Sequence, residues 1–260
     1  MIAATVTKIK TPSLKHRIDD REWETRLDLA AAYRLVHRHG WATTLIFNHI
    51  SARVPGTDHH ILLNPLGLRY DEVTASNLVK IDLDGNILDD TPYEINNAGY
   101  VIHSAIHAAR DDVQCVMHTH TENGMALSSL EEGLMFTNQE TFMFWDNIGY
   151  HPFEGIADNL DERQRLVANL GSAYTLVLRN HGLLTAGRTV GEAFVFMFFL
   201  EKAVSSQLKM MSSGGAIITP DRAVCEYTAS QFDIPNKVQG AREWPALVRM
   251  LDDTDPDYRD

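Results

Sequence analysis

Apolar residues along the 260-residue chain recur at two spacings, and the switches between them mark out its elements. Over Asp19–His39, Trp23, Leu27, Ala30, Ala31, Leu35 and Val36 share one helical face, and Gly40 closes the helix. Thr43–Phe47, Ile50–Val54, His60–Leu63 and Leu78–Leu83 read as strands, parted by turns at Pro55-Gly56, Asn64–Gly67 and Asp84-Gly85-Asn86. A second helix spans Asn96–Arg110, with Ala98, Val101, Ile102, Ala105, Ile106 and Ala109 as its stripe. It leads into a buried strand at Val113–His120, followed by a short helix over Thr121–Leu130. Leu134–Phe144 and Gly149–His151 are strand or loop. Leu160–Leu170 is a helix with Glu162, Arg163 and Arg165 toward solvent; Thr175–Leu178 is another buried strand, and Val190–Met211 a long apolar helix. Beyond Ser212–Gly215 only Ala241–Leu251 keeps a helical period. These elements form one α/β domain over residues 1–215, with an irregular arm over Met1–Ser13, and an extension over 216–260 partly packed on it.

The chemistry concentrates where two of these strands end. VQCVMHTH closes on His118 and His120, whose i, i+2 spacing sends both side chains the same way from an extended backbone. TLVLRNHGLL carries His181 after its own apolar run. Three neutral imidazoles with an open position suit a divalent metal. His103 and His107, at i, i+4 on the second helix, share no strand end with them and read as supporting or helix-surface residues. Glu140 is the carboxylate best placed for acid–base work beside such a site. Glu122 reads as a helix-start charge. Asn48 and Gly67 sit in turns where free backbone N–H groups could line an anion pocket.

Composition changes the picture by exclusion. A formal net charge of −12 with no basic stripe argues against nucleic acid as a partner. The apolar run Ala193–Leu200 is too short to span a bilayer. Cys115 lies inside an apolar strand and reads as a buried thiol, as suits a reducing compartment. No signal peptide is legible at the start, so a cytoplasmic location without membrane partners is expected.

The segments FNHISARVPG, LLNPLGLRYDEVTASNLVKIDLDGNI, NNAGYVIHSAIHAARDDVQCVMHTHT and LVLRNHGLLTAGRTVGEAF resemble the class II aldolase/adducin family, most strongly the adducin head domain. That resemblance implies a three-layer α/β/α fold around a mainly antiparallel sheet, and a homo-oligomer with a tetramer favoured. It implies a divalent metal at His118, His120 and His181, with zinc first and iron, manganese or nickel as alternatives. Family enzymes use the metal as a Lewis acid on a carbonyl or enediolate oxygen. Two departures matter. The aldolases' Ser-Ser-Glu group, whose glutamate is the acid/base, falls here on Asn97-Ala98-Gly99, leaving Asn97 as a substrate contact and no carboxylate at Gly99. Their Gly-Asn phosphate turn falls on Phe47-Asn48, where a ring replaces the glycine. Family dehydratases place a glutamate after H-x-H, and Glu140 falls at that spacing. The implied function is a metal-dependent lyase acting on a small hydroxy-carbonyl, sugar-like substrate. A non-catalytic adducin-like interaction module and a non-heme iron oxygenase are the alternatives.

Overall fold

The computed structural model describes residues 11–57, 59–156, 161–232 and 237–260, and within them every side chain except those of Asn97 and Ala98. Most of the arm and Leu160 therefore lie outside the described residues.

Among the described residues seven strands form one sheet: β1 (His49–Arg53), β2 (Ile61–Leu63), β3 (Val79–Ile81), β4 (Cys115–Thr119), β5 (Gly149–His151), β6 (Thr175–Leu178) and β7 (Gly182–Gly187). Their spatial order is β3-β2-β1-β4-β7-β6-β5, and only β5 and β6 run parallel. The side-chain period of 2 splits each strand between two cores. Cys115, Met117, Val177 and Leu183 join Ile50, Ala52 and Leu62 beneath helices α1 (Asp20–Arg38) and α5 (Val190–Ser212). Val116, Leu176, Leu178, Leu184 and Ala186 pack on the other face against α2 (Asn97–Ala109) and α4 (Glu162–Leu170). The result is the α/β/α layering around a mostly antiparallel sheet that the resemblance implied.

Helix α1 is more deeply set than a single stripe requires: Leu29 through Val36 are buried without a break. Its Tyr33 hydroxyl accepts from the Ile50 and Asn64 amides and also contacts Ile50 O and Asn64 Oδ1. One phenol thereby ties the helix to the start of β1 and to the loop after β2. Arg26, fully buried, is held by Glu22 at 2.9 Å, Asp89 at 2.7 Å and the Leu78 carbonyl at 2.8 Å, so its charge is compensated.

Several local expectations change. Thr43–Phe47 is a turn rather than a strand, because Leu45 adopts φ +62° and breaks the extended run. The second half of Leu134–Phe144 is a short 3₁₀ segment, Gln139–Phe144. Glu162 turns inward onto His151 instead of facing solvent. The strand expected at Thr175–Leu178 is β6 with the same bounds, but a further strand, β7, begins at Gly182 just after the Asn180-His181 turn and pairs along β4. Helix α6 (Arg222–Phe232) has no clear apolar stripe, because Cys225 is its only fully buried position among the described residues.

The chain's end returns to the body. In α7 (Glu243–Thr254), Trp244 packs on Gly191 and its indole N–H donates to Asp28 at 2.9 Å. The Ala75 and Ser76 amides donate to the Tyr258 and Asp260 carbonyls, and Arg34 binds Asp255 and Asp257. Trp244→Ala removes a large buried ring together with a hydrogen bond. A loss of about 3–5 kcal/mol in urea unfolding is expected, whereas an extension free of the core would show no change.

Candidate metal centre

His118 lies within β4, His120 just past its end and His181 in the turn from β6 to β7. The three come together because β4 and β7 pair antiparallel, with Thr119 opposite Leu183 and His118 opposite Leu184. Two local features let the β6–β7 turn close over H-x-H. Asn180 takes φ +55°, a conformation that asparagine tolerates better than most residues. A Cβ at Gly182 would stand 2.4 Å from the Thr119 carbonyl oxygen, so the approach requires glycine.

The ring centroids of His118, His120 and His181 are 4.5, 4.6 and 4.8 Å apart, and one nitrogen from each falls within 4.8 Å of the others. The His118 Nδ1–H donates to Leu183 O at 2.8 Å, which leaves the Nε2 lone pair facing the cluster. That Nε2 stands 2.6 Å from His120 Nε2. Nitrogens sharing one tetrahedral zinc with bonds of about 2 Å are roughly 3.3 Å apart, so these distances bracket what a shared cation needs. Protonation is disfavoured at all three. Burial, then His181 and His120, holds His118 well below the ordinary imidazole range. Burial, then His120 and His151, lowers His181 to about 4, and burial lowers His120. Neutral imidazoles are the ligand form, and the donor set fits a divalent metal.

Helix α5 fixes the backbone around His120 from the opposite side of the sheet. Buried Glu201 accepts from Thr121 Oγ1 at 2.7 Å and more weakly from Thr119 Oγ1 at 3.4 Å. Burial pushes this carboxyl's pKa up. Thr43 Oγ1 donates to the His120 carbonyl at 2.7 Å.

The three rings open into a cavity of about 320 Å³. Phe47, Ile102, Phe153 and Ile156 form its apolar walls, and His49 and Asn96 are its further polar side chains. Among the described residues lining it there is no Lys, Arg, Asp or Glu. Glu140 is not brought there: it lies on the 3₁₀ segment against α5 and α6 and pairs with Lys202 at 3.4 Å. Asn48 is buried and donates to the Trp41 carbonyl at 3.2 Å, stitching its own loop. Gly67 occupies an exposed turn with φ +93°, away from the cavity lining. The side chain of Asn97 lies outside the described residues.

His103 and His107 are fully buried, not on the helix surface. Both meet Ser51 of β1, with His103 Nδ1 at 2.7 Å and His107 Nε2 at 2.8 Å from its hydroxyl. The alternation of His49, Ser51 and Arg53 along β1 aims a polar row at α2. That period-2 pattern could have pointed to His49, which the predicted strand, starting at Ile50, left out.

With this geometry the comparisons with known proteins agree. The family description "Class II Aldolase and Adducin N-terminal domain" matches residues 27–208, and the chain belongs to that family. It is 48% identical to an aldolase II superfamily protein from Pseudomonas syringae of known structure. That match has a TM-score of 0.90 and covers 96% of this chain and 100% of the other. An L-fuculose 1-phosphate aldolase from Glaciozyma antarctica PI12 aligns with a TM-score of 0.82 and 27% identity, over 97% of this chain and 98% of that one. Alpha-adducin of Mus musculus is 39% identical over 90% of this chain, a match spanning 34% of adducin's own length. Among the described residues no helix is long and apolar enough to cross a membrane.

The buried histidines on the inner face of α2 set an acid limit. Burial, then Arg53, lowers His107 to about 3 from an ordinary 6.5, and burial, then His49 and His107, lowers His103 strongly. Folded-state values below the unfolded ones mean that the unfolded chain binds more protons between about 6.5 and 3. Stability is therefore full above pH 6.5 and falls as the pH drops. Each such histidine contributes up to about a tenfold shift in the unfolding equilibrium per pH unit. Urea midpoints measured from pH 8 down to pH 4 check this, and His107→Gln makes the decline shallower.

Proposed function

We propose that this chain is a metal-dependent lyase of the aldolase type, acting on a small, unphosphorylated hydroxy-carbonyl compound. The observation that carries the reading is the three-imidazole cluster at the floor of a cavity with apolar walls. His118, His120 and His181 would hold the ion, with zinc the first choice and iron, manganese or nickel as alternatives. A divalent cation bound there supplies Lewis-acid polarisation of a carbonyl or enediolate oxygen. The chain's own residues do the rest. Leu183 fixes the His118 ring, while Glu201 and Thr43 fix the His120 backbone. Phe47, Phe153 and Ile156, exposed to solvent themselves, give the cavity an apolar rim. With no cationic side chain among the described lining residues and a phenyl ring at Phe47, the cavity suits an uncharged substrate better than a sugar phosphate.

One observation favours a second reading. With no carboxylate among the described lining residues, the fold also suits a non-catalytic interaction module of the adducin kind. A homo-oligomer, with a tetramer favoured, and a cytoplasmic location accompany either reading.

Metal analysis by mass spectrometry on protein purified without added metal, beside His118→Ala, tests the centre. The lyase reading expects about one zinc, iron, manganese or nickel per chain, lost in the variant. A wild-type chain that stays empty after titration with each of these ions would leave only the interaction module.

A further inference from the structure

The missing side chain at position 99 has a physical counterpart in β1. Gly99 lies in the first turns of α2, over the face of β1 and β4 that carries the cavity. A Cβ added there would fall 2.1 Å from His49 Cδ2, 2.5 Å from Cγ and 2.6 Å from Nε2. Gly99 is helical and needs no positive φ, so the backbone alone gives no reason for glycine. Within a helix alanine is otherwise favoured over glycine. What requires it here is the imidazole, which fills the volume that a side chain at 99 would take.

The same ring is oriented for use. Its Nδ1 stands 3.1 Å from Asn64 Oδ1, an acceptor that Tyr33 holds at 2.9 Å, so Nδ1 carries the hydrogen and Nε2 carries the lone pair. Nε2 meets Asn96 Nδ2 at 3.1 Å on the cavity wall. In the sheet register His49 is the direct partner of His118, so the two residues hold neighbouring positions on the cavity face. Yet His49 is not in the group whose ligand atoms converge on one point.

We propose that His49 is the substrate-contacting polar group of this site, seated in the space left by Gly99. Its Nε2 lone pair, which takes the Asn96 amide as donor in this structure, accepts instead from a substrate hydroxyl adjacent to an oxygen held by the three-histidine centre. The ligand class is then a small, uncharged compound with oxygens on neighbouring carbons. Its hydroxyl end faces His49 and Asn96, and its remainder faces Phe47, Phe153 and Ile156. The inference rests on the metal-centre reading above and deepens it.

The test uses the full chain loaded with cobalt(II), whose visible absorption reports ligand binding, and glycolohydroxamate as the probe. Wild type, His49→Ala, His49→Gln and Gly99→Ala are compared for cobalt content and for probe affinity. Equal cobalt in all four is expected, with probe binding about tenfold weaker in His49→Ala, the effect of one lost hydrogen bond. Gly99→Ala reproduces that loss with residue 49 unchanged, because its methyl group displaces the ring. His49→Gln, which keeps an acceptor, recovers part of it. Full cobalt with wild-type affinity in His49→Ala overturns the assignment and leaves the metal centre standing. Loss of cobalt in His49→Ala overturns it by making His49 a ligand. A wild-type chain that takes up no cobalt removes the centre and the assignment together.

Discussion

The site depends on how closely β7 approaches β4. The H-x-H strand and the Asn-His-Gly turn lie more than sixty residues apart in sequence, and the ladder from Thr119–Leu183 to Cys115–Gly187 brings them together. At its end Gly182 sits so near the Thr119 carbonyl that a methyl group would not fit. The hydrogen bond that orients His118 also comes from this ladder, since its acceptor is the Leu183 carbonyl. Register, ring orientation and cluster geometry are therefore one constraint. A slip of a single residue would turn His118 to the other face of the sheet.

That constraint was partly legible in the sequence. The i, i+2 histidines on an apolar strand and the strand-terminal N-H-G each carry a local pattern, and both lie where that pattern puts them. The helices with clear 3.6-residue periods were legible for the same reason. β7 was hidden because Gly182–Gly187 is short and flanked by glycines, and its extended form comes from pairing with β4. The Thr43–Phe47 turn was hidden because a β-branched, apolar stretch looks extended, while its reversal depends on Leu45 in a left-handed conformation. Neither is a property of a short window of residue types.

Long-range placement explains the remaining differences at the site. Sequence spacing alone set Glu140 beside the metal strands, and the three-dimensional path instead carries it to Lys202. His49 stayed out of view because its significance comes from what lies across from it. Its partners, Asn64, Asn96 and Gly99, belong to two other segments. The buried Glu201 is a similar case: a carboxylate in the middle of an apolar helix makes sense only beside the two threonines that flank His120.

The packing of His49 against Gly99 also restricts how such a cavity can diverge. A side chain at 99 and a ring at 49 claim the same space, so the two positions exclude one another. Replacing the glycine first produces a collision, and removing the imidazole first leaves a hole beside Asn64 and Asn96. Neither single step is neutral, so passage between a carboxylate-bearing and an imidazole-bearing pocket requires paired change. The two residues therefore act as one structural unit: the shape of this wall of the cavity is set by the pair and by neither position alone.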